Sequence, residues 1–371
     1  MATSERPART RGRTNGGSGR KELPLGLTAQ QCRDMYRRMV LIRHFEDHAA
    51  EAYAQAKVGG FLHLYIGEEA VAVGALAAAR PDDHVLGHYR DHGYALARGC
   101  DAKACMAELF GRDTGLCHGR GGSMHLADVT RNYWGGYAIV GSHIPIGAGM
   151  AYAMQYQQRE QVVLDFFGDG ATGNGIFHEG LNMAALWNLP VIFICENNLY
   201  GMGATLAEES PVKDMIIKAE GYTMPSLQCD GMDLLSVYEA VQKAAEHCRS
   251  GKGPFFIEAL TYRFRGHSMA DPELYRDKEE VRRWRELDPI PRFGQFCVEH
   301  RISSEQELAQ VTEEVEAEML EAVRFADQSP WPDPSTVDDW IYAKPIDPEG
   351  ESGARPAALR EPAAQRAEAG R

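Results

Sequence analysis

The stretch Val162–Gly203 reads VVLDFFGDGATGNGIFHEGLNMAALWNLPVIFICENNLYGMG, and its pattern decides the fold. Two apolar runs, Val162–Phe167 and Val191–Cys195, are short and rich in β-branched and aromatic residues. That composition suits strands buried on both faces of a parallel sheet. Between them, Ile176–Trp187 places apolar residues at helical spacing, and Pro190 stops the helix before the second run. The predicted unit is therefore β-α-β. Each strand runs into a polar loop, Gly168-Asp169-Gly170 after the first and Glu196-Asn197-Asn198 after the second. Open parallel sheets bind ligands beyond the carboxyl ends of their strands, so both loops are expected at one crevice.

Gly168, Gly170 and Gly173 satisfy GxGxxG after a strand and before a helix, which is also the signature of a dinucleotide fold. Asp169 argues against that reading. It stands where backbone must approach a pyrophosphate, and two unit charges about 4 Å apart at an effective dielectric constant of about 20 repel by roughly 4 kcal/mol. A divalent cation between them reverses the sign. Mg²⁺ takes hard oxygen ligands and combines few protein groups with substrate phosphates. Asp169 offers a carboxylate, Asn198 an amide oxygen and Tyr200 its backbone carbonyl; two phosphate oxygens and a water would complete the shell.

GDG followed by 26 residues and then NN resembles the diphosphate-binding motif of thiamine-diphosphate enzymes. NMAALWNLPVIFICENNLYGMG resembles, more specifically, the alpha subunit of the decarboxylating component of 2-oxo acid dehydrogenase complexes. The resemblance spans 27–342. It implies a thiamine-diphosphate-binding α/β fold, a parallel sheet flanked by helices with helical extensions, and thiamine diphosphate and Mg²⁺ as cofactors. Gly170 and Ala171 of the GDGA turn join Asp169 as expected cofactor contacts.

Composition sets the bounds. The 371 residues allow one large domain, and 44% hydrophobic residues support a core. A net charge of −14 argues against nucleic acid or an anionic membrane as the main partner. No apolar run approaches membrane-spanning length. The eight cysteines are scattered without a CxxC pair, which favours a reducing compartment. Residues 1–26 and 343–371 read as disordered tails around a single domain at 27–342. The basic N-terminal stretch lacks the apolar face of a transit peptide, so a cytoplasmic, bacterial-type location is expected, with the mitochondrial matrix as the alternative.

Outward from the central unit, Thr28 and Gln31 form a capping-box pattern that starts a helix running to about Gln55. A second, apolar helix is expected from Glu68 to Ala79. Between them stands His63. A lone histidine among apolar residues is more often a hydrogen-bonded core group, but FLHLYIGEEA resembles the family segment that carries an active-site histidine near phosphates and substrate. Tyr89 and Arg90 follow a short strand end. Arg contacts phosphate bidentately, and YR-x-HG resembles the family's diphosphate clamp; His88 and His92 carry no such support. GGSMH resembles the family pattern that helps build the active-site wall. In GGYAIVGSHIP the resemblance implies backbone contacts to the cofactor's aminopyrimidine ring from Ala138 and Val140. Ala138 replaces a common glycine and His143 a common glutamine, and Thr172-Gly173-Asn174 departs from the usual Ala-Asn-Gln.

Downstream, Asp233 is expected to cap a helix, Phe255–Leu260 is a buried strand, and 276–287 and Ser304–Ala326 read as helices, the latter with a packing stripe. RGHSMADP resembles the family's catalytic loop, which makes His267 a second catalytic candidate beside His63, and HSM-x-DP is the variant associated with pyruvate-type rather than branched-chain enzymes. The resemblance implies oxidative decarboxylation of a small 2-oxo acid with acyl transfer to a lipoyl-bearing acyltransferase, with acetoin or branched-chain substrates as alternatives. His267 would orient groups during that transfer. The chain has room for only one of the two α/β domains such chemistry needs, so a beta subunit is expected to supply the other in an α₂β₂ heterotetramer.

Overall fold

Six strands build one parallel sheet in the structure, a computed structural model that describes residues 23–337 and 339. In chain order they are β1 (His84–His88), β2 (Tyr133–Tyr137), β3 (Val163–Gly168), β4 (Val191–Asn197), β7 (Ser226–Asp230) and β8 (Phe255–Leu260). A two-residue hairpin, β5 (Tyr200–Gly201) with β6 (Ala204–Thr205), lies between β4 and β7. The sheet order is β2-β1-β3-β4-β8-β7, with every neighbouring pair parallel. The chain winds outward from β1 to β2, then returns to β3 and proceeds the other way. The gap between β1 and β3 is thus the switch point where such sheets bind ligands.

Alternation along the strands divides the core. Leu164, Phe166, Ile192 and Ile194 pack with the helices Ala29–Ala54, Glu69–Ala78 and Leu234–Arg249. Val163, Phe167, Val191 and Phe193 pack on the opposite face with Ile144–Tyr156 and Gly175–Leu186. Successive side chains of a strand point to opposite faces, so one apolar run serves both layers. Gly74 lets two of these helices approach closely, since a Cβ there would stand 2.8 Å from the Leu234 carbonyl oxygen.

The expected β-α-β unit is present, with its helix at Gly175–Leu186. Thr28 and Gln31 form the capping box, and the Asp233 side chain accepts from the N–H groups of Leu235 and Ser236. The charged segment gives a helix at Lys278–Arg285, and the late amphipathic helix runs Glu305–Gln328. Val315 and Met319 of its stripe are buried against this chain's own core. One expectation is corrected: Glu196 and Asn197 are not loop residues but the fully buried end of β4. The chain leaves the strand at Asn198. Of the expected tails, 23–26 include a 3-10 turn at Pro24–Gly26, with Leu23 and Leu25 packed on the core. Residues 1–22 and 343–371 lie outside the described residues.

Candidate active site

A cavity of about 580 Å³ opens at the carboxyl ends of β1, β2, β3 and β4. His63, Tyr89, Arg90, Ala138, Val140, Asp169, Gly170, Ala171, Asn198, Tyr200 and His267, the residues expected from the sequence, all line it.

Asp169 opens a 3-10 turn directly after β3 and is 2% exposed. Its Oδ2 is buried and has no hydrogen-bond partner among the described residues. Burial pushes the carboxyl up to about 7; N–H groups of Asp169 itself and Asn198 and the charge of Arg263 pull it down, while Glu209 adds repulsion. Among the described residues the carboxylate forms no ion pair, and a dication at Oδ2 would supply a direct counter-charge. Asn198 donates through Nδ2 to Glu68 Oε1 at 3.0 Å, and its Oδ1 accepts from the Tyr200 N–H at 3.3 Å. The amide is thereby oriented with its oxygen toward the Tyr200 backbone. The Tyr200 hydroxyl points elsewhere, donating to Glu280, so any part this residue takes in the cavity is through its backbone. Leu199 and Met202 adopt φ of 73° and 58°, bends that shape the loop around Tyr200. No three His, Cys, Asp or Glu side chains gather as a metal cluster among the described residues. The donors present, one carboxylate with an amide and a carbonyl, fit a hard cation that completes its shell with phosphate oxygens and water.

Three rings gather at another part of the wall. The centroids of His63 and Tyr89 are 4.5 Å apart, and those of His63 and His267 5.0 Å. Burial, with Arg90 next in weight, lowers His63 to about 2 and His267 to about 3, so both imidazoles are neutral near pH 7. His63 Nδ1 is buried without a hydrogen-bond partner among the described residues. The His267 backbone is gripped on both sides: its N–H donates to Asp271 Oδ2 at 2.6 Å, and its carbonyl accepts from Arg90 Nη2 at 3.1 Å.

Arg90 is placed differently from a free clamp. It is 2% exposed, donates from Nη1 to the Leu64 carbonyl at 2.8 Å, and keeps Nε 3.4 Å from Glu68. Its charge faces the cavity while its fork ties the His63 segment to the His267 loop. Nor does it pair with Asp91, which is buried and accepts from the Leu126 N–H at 2.8 Å. Ala138 is absent from the residues with positive φ, so alanine in place of glycine costs no backbone strain. The Val140 carbonyl accepts from Asn174 Nδ2 at 2.9 Å, which ties one departure from the family pattern to the cavity wall.

Sequence reasoning gave no role to several residues at or behind the cavity. Arg263, 1% exposed, lines the cavity and donates to the Met202 carbonyl and the Tyr275 hydroxyl. His88 lines it too, with Nε2 2.8 Å from Glu196 Oε2. Glu196 also accepts from the hydroxyls of Tyr65 and Tyr94. His143 is fully buried at the cavity, Nε2 donating to the Phe166 carbonyl at 2.8 Å. The available signal was a cluster of polar residues inside apolar runs. His92, by contrast, lies away from the cavity, bonded to Glu46 and Ser123.

The profile of the family described as dehydrogenase E1 component matches residues 37–335. Among similar proteins, the pyruvate dehydrogenase E1 component subunit alpha of Rhizobium meliloti (strain 1021) is 46% identical over 303 residues, covering 81% of this chain and 87% of that protein. The subunit of the same name from Porphyra purpurea is 41% identical, covering 87% and 97%. The alpha subunit of acetoin:2,6-dichlorophenolindophenol oxidoreductase of Bacillus subtilis (strain 168) is 41% identical, covering 86% and 95%. With a profile match across most of its length, and Asp169 inside the glycine turn where a dinucleotide fold would bring its pyrophosphate, the chain belongs to the thiamine-diphosphate-dependent dehydrogenase E1 component family, as an alpha subunit.

Proposed function

We propose that this chain is the alpha subunit of a pyruvate dehydrogenase of the acetyl-transferring type. It would act on pyruvate with thiamine diphosphate and Mg²⁺, together with a beta subunit in an α₂β₂ assembly, and pass the acyl group to a lipoyl-bearing acyltransferase. The observation that carries the reading is the buried, unpartnered Asp169 Oδ2 beside Asn198 and Tyr200, in the same cavity as the neutral pair His63 and His267. The printed names of the relatives from Rhizobium meliloti and Porphyra purpurea support the substrate. A cytoplasmic location is part of the proposal and accords with eight free cysteines, seven of them buried.

When bound, thiamine diphosphate supplies the electron sink that lets a 2-oxo acid lose CO₂. This chain's residues would do the binding and the orienting. Asp169, Asn198 and the Tyr200 carbonyl would hold Mg²⁺, and Gly170 and Ala171, which line the cavity, would meet the diphosphate. Arg90 and Arg263 place positive charge at the cavity without releasing their backbone anchors. Ala138 and Val140 would meet the aminopyrimidine ring through the backbone. Held far below the ordinary imidazole range, His63 and His267 stay neutral near pH 7, which suits them to hydrogen-bonding and orienting the substrate and transferred acyl group rather than to holding a proton.

Phe61, Ile139 and Met202 are 62%, 73% and 66% exposed, and Phe61 and Met202 line the cavity. An apolar rim of this kind fits closure by the beta subunit. The acetoin-active relative keeps a second reading in view, the same scaffold serving acetoin. Both are tested by reconstituting the chain with its beta subunit and following reduction of an artificial acceptor with pyruvate, acetoin and a branched 2-oxo acid. Pyruvate should be preferred, and Asp169→Ala should abolish Mg²⁺-dependent cofactor binding. Preference for acetoin would replace the first reading, and unchanged cofactor affinity would remove the metal assignment.

A further inference from the structure

The turn that presents Asp169 is weak in its own right. Asp169–Gly173 is a five-residue 3-10 helix, DGATG, and no side chain caps its start. Two glycines give it little local preference for one conformation. Its fixed shape comes from elsewhere. Thr172 is 1% exposed, and its hydroxyl donates to the Asp169 carbonyl at 2.7 Å. Lys218, on the helix Ile216–Glu220, donates from Nζ to that same hydroxyl at 2.7 Å and to the Thr172 carbonyl at 3.1 Å. Met215 packs its sulfur 3.2 Å from the hydroxyl.

Lys218 is an unusual partner for a glycine turn. Among the described residues it forms no ion pair with a carboxylate; burial disfavours its charge, while the more distant Cys195 and Asp169 favour it. Its ammonium is instead directed at both oxygens of Thr172. The chain Lys218–Thr172–Asp169 therefore reaches the backbone of the residue whose Oδ2 is left open.

We propose that Lys218, acting through Thr172, is a positioning residue that presets Asp169 for the cation before cation and diphosphate arrive. This rests on the cofactor reading given above. A ligand carried on a turn that must order itself during binding loses affinity to that ordering, and supporting groups behind metal ligands are worth about ten- to a hundredfold in metal affinity. The charge of Lys218 acts in the opposite direction, because it repels a cation. Removing it gains affinity by electrostatics and loses it by disorder, and only the second effect is shared by a change at Thr172.

The test is Mn²⁺ binding to the full chain purified with its beta subunit, measured from the electron paramagnetic resonance of the free ion at fixed thiamine diphosphate. Lys218→Met and Thr172→Val should each weaken Mn²⁺ roughly tenfold. Thr172→Ser, which keeps the hydroxyl, should bind as the native protein does. The double variant should bind no more weakly than the weaker single, because both act through one linkage. Native Mn²⁺ affinity in Thr172→Val, even with a lowered melting temperature, would overturn the proposal, as would tighter binding in Lys218→Met. Asp169→Ala separates the two levels: if it binds Mn²⁺ normally the cofactor reading fails, whereas loss there with native affinity in Thr172→Val overturns only the role of Lys218.

Discussion

Arg263 Nη1 lies 3.2 Å from His267 Nδ1. A guanidinium only donates, so Nδ1 accepts and the neutral ring carries its proton on Nε2. The same arginine, with Arg90, holds the imidazole near pKa 3, burial being the larger cause. Arg263→Met removes both the tautomer lock and one of the two charges. kcat should fall on the order of a hundredfold, the scale of losing one oriented hydrogen-bond donor at a reacting group. The His267 pKa should rise, moving the acidic limb of the pH–rate profile to higher pH. A variant with reduced kcat but an unmoved acidic limb would show that Arg263 serves only the loop's shape.

The rim offers a separate test of the missing partner. Ile139 sits between Ala138 and Val140 and is 73% exposed. A large aliphatic side chain beside a cavity is tolerable on a free surface, yet a carboxylate buried in an apolar interface costs several kcal/mol. Ile139→Glu should leave the helical circular dichroism unchanged and abolish co-purification with the beta subunit. Stoichiometric co-purification would place the interface elsewhere.

The residues proposed to hold the cation were legible because their chemistry is local. Asp169 within a glycine turn and Asn198 at the next strand end announce themselves through charge and strand position alone. The network behind them was not legible, because its meaning depends on distant chain. Glu196 reads as a loop acid until Tyr65, 131 residues away, and Tyr94 and His88 close around it. Arg263 stands in a run of charged and aromatic residues, and nothing adjacent shows that its side chain turns back to His267 and Met202. His143 was noticed as a departure, yet its acceptor, the Phe166 carbonyl, is set by sheet geometry. Arg90 was found by motif, but its anchoring to Leu64 and His267 follows from packing.

Glu196 is expected to matter for stability. Its oxygens accept from two tyrosine hydroxyls and the His88 ring in a fully buried site. Glu196→Gln replaces one acceptor oxygen with an amide that can only donate, facing donors. An unsatisfied buried group costs about 1–3 kcal/mol, so the melting temperature should drop by several degrees. Thermal unfolding of the variant beside the native chain checks this, and an unchanged transition would mean that the tyrosine hydroxyls rotate to accept without loss.

Asp169 gives a pH dependence of unusual sign. Its folded pKa, about 7, lies above its ordinary value of 3.8, so between those two values the folded chain retains a proton that the unfolded chain has released. Stability contributed by the neutral acid is complete below the unfolded pKa and declines as pH rises toward the folded one; the full difference amounts to about 4 kcal/mol. Asp169→Asn removes this titration while keeping the shape. In the absence of cation and cofactor, the variant should therefore melt higher than the native chain at pH 7–8, and the advantage should vanish near pH 4. Saturating Mg²⁺ with thiamine diphosphate should reverse the order at pH 7–8, because only the native carboxylate gains a counter-charge. Melting curves across this range, with and without the ligands, decide the matter: parallel curves for both proteins at every pH would mean that Asp169 is not the buried acid without an ion-pair partner that the proposed cation site requires.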